Sequence, residues 1–326
     1  MVNRYTIAKI LVAVGLLVWL ANSGRLDLHI LFSTPLNLFH GLGLVVLLVG
    51  MVMQAWRWWW LLKVQQIGLS FQRTLGLVWV GRFLAMVLPG AVGGIMVRGY
   101  YVTREAPSAK IAGLSSIVLD RSMGLYASFL LSLTALALTV WSSEPLTGPM
   151  LHVGVVAILL VMGASLVFLT LWLHPTRSFM LGFVPGRFRA PLEGALEAYR
   201  GRGRCLLACF SLSLAISVMA MGAFVIAGHA IGTPVGWKQA FMVCPLVFVA
   251  SALPISPGGI GVGETAASVL FARSGIASGA GIMLILRLWQ VLLRLPGGFL
   301  YIVGMRNRPV AAVTEKPNVA PQVLDE

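Results

Sequence analysis

Charge is scarce in this chain. Only 10% of its 326 residues are Asp, Glu, Lys or Arg, while 58% are hydrophobic and the mean hydropathy is +0.90. A soluble domain carries about a quarter charged residues, so a water-soluble surface is excluded and a polytopic membrane protein implied. Cysteine is nearly absent and offers no disulfide framework: Cys205 and Cys209 lie one turn apart in an apolar stretch and Cys244 in another. The five histidines (His29, His40, His152, His174, His229) include no pair at metal-ligand spacing, so neither a metal nor a cofactor is expected. Paired catalytic carboxylates and a nucleophile beside a base are also missing from the pattern, which argues against an enzyme. Acids number 10 against 24 Lys and Arg, a formal charge of +14. Basic cytoplasmic loops account for that excess without nucleic acid, and no nucleic-acid partner is expected.

What the chain has instead is apolar stretches of helical length, two of which are broken. Residues 253–264 hold Pro254, Pro257 and the glycines 258, 259, 261 and 263. Proline removes a helical donor, and glycine permits turns that other residues adopt only at a cost. Unpaired peptide groups cost several kcal/mol each in hydrocarbon, so such a break persists only against protein or a watery cavity. A second break, Leu88-Pro89-Gly90 with Gly93-Gly94, interrupts the stretch 74–97.

In chain order, 5–21 reads as a first helix, kept as an anchor because its apolar region is long for a cleaved signal. A second helix is expected over 37–56, ending in an interfacial aromatic belt at Trp56-Arg57-Trp58-Trp59-Trp60. Basic residues flank 74–97 on both sides (Arg57, Lys63, Arg73; Arg98, Arg104, Lys110), so that stretch should enter and return from the cytoplasm. Helices follow at 111–141 and 150–173, then an arginine-rich polar stretch with an amphipathic helix at 191–200, then a helix at 205–231. The second broken stretch spans 237–272, a last helix spans 280–304, and 305–326 reads as a disordered cytoplasmic tail. Few basic residues fall on the opposite side (Arg25, Lys238, Arg273), which places both termini in the cytoplasm. The fold class is therefore all-α, with about six full transmembrane helices and two re-entrant hairpins, residues 1–304 forming one transmembrane domain.

Sliding the chain by 165 residues (253 minus 88) lays Leu88-Pro89 on Leu253-Pro254 and Gly93-Gly94-Ile95 on Gly258-Gly259-Ile260. Phe83 falls on Phe248 and Arg73 on Lys238. The halves, about 37–141 and 205–304, would then be an inverted repeat, a pattern that points to a substrate site at the membrane midplane.

Candidate binding residues follow from that placement. Helices starting after Gly93-Gly94 and after Gly258-Gly259 would turn free N–H groups and a positive dipole end toward an anion such as a lipid phosphate. Arg98, Arg121 and Arg287 would line the cavity and contact the phosphate, with Asp120 and Glu264 holding these cations in orientation. Arg287, Gln290 and Arg294 share one helix face by their spacing. Structural alternatives stand beside these roles: Glu264 as a cap for its own helix, Asp120 in an ion pair with Arg121 or another arginine, Arg294 snorkelling to the surface.

Over most of residues 40–304 the chain resembles the lysylphosphatidylglycerol synthase transmembrane region, a flippase-like family. The likeness rests on Arg57-Trp58, on Leu88-Pro89-Gly90 with Gly93-Gly94 and Arg98, on Asp120-Arg121, and on Pro254, Pro257-Gly258-Gly259-Ile260-Gly261 and Glu264. The family commonly carries Asp after the paired glycines, where this chain has Ile95. The resemblance implies translocation of a lipid between leaflets of the inner membrane, with membrane lipids (a phospholipid, glycolipid or hopanoid-type lipid) as partners. No aminoacyltransferase domain is expected here. The alternative is a membrane scaffold, without transport, for a glycosyltransferase or envelope-lipid synthesis enzyme; the oligomeric state stays open.

Overall fold

The computed structural model describes residues 37–86, 92–141, 155, 159, 162–163, 186–252 and 262–303. The expected segments 5–21 and 305–326, and nearly all of 150–173, lie outside them. Among the described residues there are nine α-helices, one 3-10 turn and no strand. In chain order the helices are α1 (Leu38–Val64), α2 (Phe71–Leu84), α3 (Val92–Glu105), α4 (Lys110–Trp141), α5 (Gly186–Glu197), α6 (Gly203–Ala230), α7 (Trp237–Ala252), α8 (Val262–Arg273) and α9 (Gly279–Val303). Three of them, α1, α6 and α9, are long and apolar enough to cross a membrane. The chain is an all-α polytopic membrane protein.

Helix α1 runs eight residues past its expected end, because the tryptophan run is not simply an interfacial belt. Trp58 is fully buried and donates to Ser116 Oγ at 3.1 Å, and Arg57 is only 2% exposed. The helix stops where Gln66 turns left-handed (φ 57), with Gln66 N–H bonding Lys63 O and Ile67 N–H bonding Leu62 O, both at 3.0 Å. Ser70 then caps α2 by accepting from Arg73 N–H at 3.2 Å.

The helices on either side of each proline-glycine break pack against each other, α2 on α3 and α7 on α8. Arg73 at the start of α2 pairs with Glu105 at the end of α3, while Gly81 in α2 lies against Arg98 and Gly94 in α3. Each arm has 14 residues and is roughly 21 Å long, short of the ~30 Å hydrocarbon layer. In the second hairpin Gln239 Nε2 reaches Ser274 O at 3.2 Å, and Ser251 lies against Gly263.

The two hairpins open at opposite ends of the bundle. At one end, the C-terminal end of α1 meets the chain just after α5, where Tyr199 OH donates to Leu61 O at 3.3 Å. Beside it Trp59 Nε1 donates to Leu69 O, just before the open end of the first hairpin. At the other end, Asn37 Nδ2 donates to Ala230 O at 3.0 Å, and Thr233 Oγ1 to Ser278 Oγ at 3.2 Å beside the second hairpin. The amphipathic helix expected over 191–200 starts five residues earlier, as α5. It packs on α4 and is held by Gln65 Nε2 donating to Ala195 O at 2.8 Å.

Helix bounds recur at the offset of 165 (254 minus 89). The shifted bounds of α1, 203–229, meet Gly203–Ala230, and those of α2, 236–249, meet Trp237–Ala252. Shifted α3, 257–270, meets Val262–Arg273, and shifted α4, 275–306, meets Gly279–Val303. Packing recurs with the helices, since α2 lies on α9 as α7 lies on α4, and α1 on α4 as α6 on α9.

Two glycines let α9 approach its neighbours. A methyl group at Gly297 would collide with the backbone of Trp79 in α2, and one at Gly279 with the backbone of Ala267 in α8. Small residues permit this close contact where no hydrophobic drive separates helix from lipid. Trp79 Nε1 adds a bond to Leu293 O at 2.8 Å, near Pro296.

Candidate functional site

The polar core begins with a shared carboxylate. Asp120 on α4 is fully buried and accepts from two arginines: Arg57 Nε at 2.8 Å on Oδ1 and Arg98 Nη1 at 3.3 Å on Oδ2. Arg57 also donates from Nη2 to Asp120 O at 2.9 Å and from Nη1 to Ser213 Oγ at 2.6 Å, which ties α1, α4 and α6 together. Arg98 stacks its guanidinium 5.1 Å from the centre of the Trp58 ring. Three fixed donors on Arg57 match the acceptors around it, the planar geometry that makes arginine suited to buried pairing. Arg57, expected in an interfacial belt and among the flanking charges, is therefore a core residue, and so is Arg98, expected both as a flanking charge and at the cavity. Lys63, Arg73, Arg104 and Lys110 remain at that end of the bundle.

A second ion pair sits at the start of α8. Glu264 Oε1 lies 2.5 Å from Arg287 Nε, and Arg287 Nη2 donates to Glu264 Oε2 at 3.3 Å. Gly263 makes room for it, since a methyl there would fall 2.9 Å from Arg287 Nη2 and 2.5 Å from Ser251 Oγ. Gly263→Ala should push on this pair and cost about 1–3 kcal/mol. Thermal melting of the purified protein checks it against Gly76→Ala, where nothing lies within 4 Å. Equal melting of the two variants would contradict the packing argument.

Between the two ion pairs lies a cavity of about 340 Å³, to which seven helices contribute. Its polar wall holds Arg82, Arg98, Arg121, Arg287 and Arg294, with Gln54 and Gln290. The neutral amides serve two of these cations: Arg82 Nη2 donates to Gln54 Oε1 at 2.5 Å and Arg294 Nη2 to Gln290 Oε1 at 2.8 Å. Arg98 is 1% exposed, yet its Nε and Nη2 find no hydrogen-bond partner among the described residues; Nε of Arg121 and of Arg294 are in the same position. The Arg121 guanidinium lies against Gly94, where a built Cβ would be 3.4 Å from Nη2. Leu125 lines the cavity and is also 44% exposed, so the cavity opens sideways on the bundle surface.

The structure thus brings together Arg98, Arg121, Arg287 and Gly94 at one cavity, with Asp120 and Glu264 behind it as ion-pair partners. Gly93 lies in the first turn of α3, which begins at Val92, and Glu264 in the first turn of α8. Gly258 and Gly259 lie outside the described residues. Asp120 pairs with Arg57 and Arg98 rather than with its chain neighbour Arg121. Arg294 does not snorkel to the surface; it turns inward to Gln290. Arg82 and Gln54 were given no role by sequence reasoning, although a cation inside an apolar helix is itself a signal for a cavity.

The family model of the lysylphosphatidylglycerol synthase TM region matches residues 6–297. The chain belongs to this family of membrane proteins in lipid metabolism. No curated protein and no solved structure matches the chain.

Proposed function

We propose that this chain carries an anionic lipid between the leaflets of a cell's inner membrane, without a chemical step. The observation that supports this most is the cavity, where five arginines meet in the middle of an otherwise apolar bundle. In hydrocarbon these cations are expensive unless an anion or water answers them. A lipid phosphate entering sideways past Leu125 would exchange its water for guanidinium donors while its tails stay in the bilayer. In this reading the hairpins are re-entrant, the halves form an inverted repeat, and a headgroup coming from either leaflet reaches the same arginines. The recurrence of helix bounds and packing at one offset supports that symmetry.

Reconstitution tests the proposal. Vesicles carrying the purified chain should exchange a labelled anionic phospholipid between leaflets faster than protein-free vesicles, scored with a reagent that quenches only the outer leaflet. Equal rates would refute transport and favour the scaffold reading, which a copurifying glycosyltransferase or lipid-modifying enzyme would support.

Orientation carries its own expectation. The bundle end with Lys63, Arg73, Arg104, Lys110, Arg200, Arg202 and Arg204 should face the cytoplasm, together with both termini. In a background lacking Cys205, Cys209 and Cys244, Gly236→Cys and Ser143→Cys should react with an impermeant thiol reagent on intact cells, and Arg189→Cys, beside Phe188, should not. The reverse pattern would invert the assignment.

A further inference from the structure

The polar core is out of electrical balance, and the imbalance says what kind of anion fits. Arg57, Arg82, Arg98, Arg121, Arg287 and Arg294 face two carboxylates, Asp120 and Glu264, an excess of four positive charges. Both carboxylates are engaged, Asp120 with Arg57 and Arg98, Glu264 with Arg287. Among the described residues, of the five arginines lining the cavity, Arg82 and Arg294 have only amide oxygens as partners and Arg121 has no carboxylate partner.

The stretches of sequence that join α2 to α3 and α7 to α8 add nothing to the negative side. Residues 87–91 and 253–261 contain neither Asp nor Glu. The remaining acids are Glu105, paired with Arg73; Glu193 and Glu197 on the exposed part of α5; and Asp27, Glu144, Glu315, Asp325 and Glu326 outside the described residues. A phosphodiester with a single charge would leave most of the excess unanswered in a poorly solvated site, where each uncompensated cation is costly. Arg98 points the same way: it is 1% exposed and already shares Asp120, yet its Nε and Nη2 find no partner among the described residues.

We infer that the cavity selects a group bearing at least two negative charges, such as a phosphomonoester, a pyrophosphate or a pair of phosphodiesters, over a group with one. The inference rests on reading the cavity as an anion site for the transported lipid. The same wall repels a cationic headgroup, so an aminoacylated lipid with an excess of ammonium groups is the poorest fit.

The test is a melting-shift titration of the purified chain in phosphatidylcholine micelles with phosphatidylglycerol, phosphatidic acid, cardiolipin or lysyl-phosphatidylglycerol added. Phosphatidic acid and cardiolipin should bind roughly tenfold or more tighter than phosphatidylglycerol, with lysyl-phosphatidylglycerol weakest. In Arg82→Gln and in Arg294→Gln the ratio should shrink toward one, in variants whose lipid-free melting matches that of the parent. Equal affinity for lipids of one and two charges, a preference for the cationic lipid, or an unchanged ratio in both variants would overturn the inference.

Inorganic pyrophosphate added in competition identifies the source. If it displaces cardiolipin, the multiply charged group is a free anion; if it does not, the group is a lipid headgroup. Either result upholds the charge class. Transfer in vesicles is read separately: exchange with no charge preference removes this inference alone, and charge preference without exchange removes the transport reading alone.

Discussion

Asp120→Asn is expected to lower the stability of the fold by about 3–5 kcal/mol, the cost of leaving buried charge without its counter-ion. Asp120 is the one carboxylate that answers both Arg57 and Arg98, at 2.8 and 3.3 Å, and all three side chains are almost fully buried. The amide retains the shape but strands two guanidiniums in the bundle. Because Arg57 also reaches Ser213 on α6, the loss should loosen the contact of α1 with α4 and α6 together. Arg57→Met combined with Asp120→Leu should recover part of the loss, since apolar groups of similar size often replace a buried pair at little cost. Melting in detergent, with folded yield scored by gel filtration, checks both. If Asp120→Asn melts with the parent, the triad does not hold the helices.

Arg121→Ala is expected to act in the opposite way, sparing the fold and slowing lipid transfer about ten- to a hundredfold. Arg121 faces the cavity beside Gly94, and among the described residues no carboxylate would be stranded by its removal. The change deletes a charge-assisted hydrogen bond to the headgroup, roughly 1.5–3 kcal/mol. Arg121→Lys should restore only part of the rate, because a point charge does not reproduce the planar fork. Arg287→Ala makes the contrast: it deprives Glu264 of the cation 2.5 Å away, so stability and transfer should fall together. Vesicle assays normalised to folded protein separate the cases. Wild-type transfer by folded Arg121→Ala would remove Arg121 from the site.

The architecture was legible wherever sequence signals are local. The Pro-Gly breaks end helices by backbone chemistry, and the ends of α4, α6 and α9 fall within two residues of expectation. The offset of 165 was legible because Pro89 and Pro254 are rare events in apolar helices. Partnership between charges was not. Arg57 sits among four tryptophans and looks interfacial, yet its partners lie 63 and 156 residues away, and no local pattern encodes such distances. The same holds for Arg82 on α2 with Gln54 on α1 and for Arg287 on α9 with Glu264 on α8, pairs made only once those helices pack together. Arg121 and Arg287 could be singled out because a cation in an apolar stretch is costly anywhere, and Arg98 because it follows the helix start after Gly93-Gly94. Which of them keeps donors free for a ligand depends on where the two carboxylates point.

The central claim is that a lipid phosphate occupies the arginine cavity, and a structure determined by electron cryomicroscopy in a bilayer disc containing anionic lipid tests it most directly. Phosphate density should lie within hydrogen-bond distance of Arg98 Nη2 or the Arg121 guanidinium, with acyl chains leaving past Leu125. A cavity filled only by water or by hydrocarbon tail, with every headgroup at the bundle ends, would contradict it.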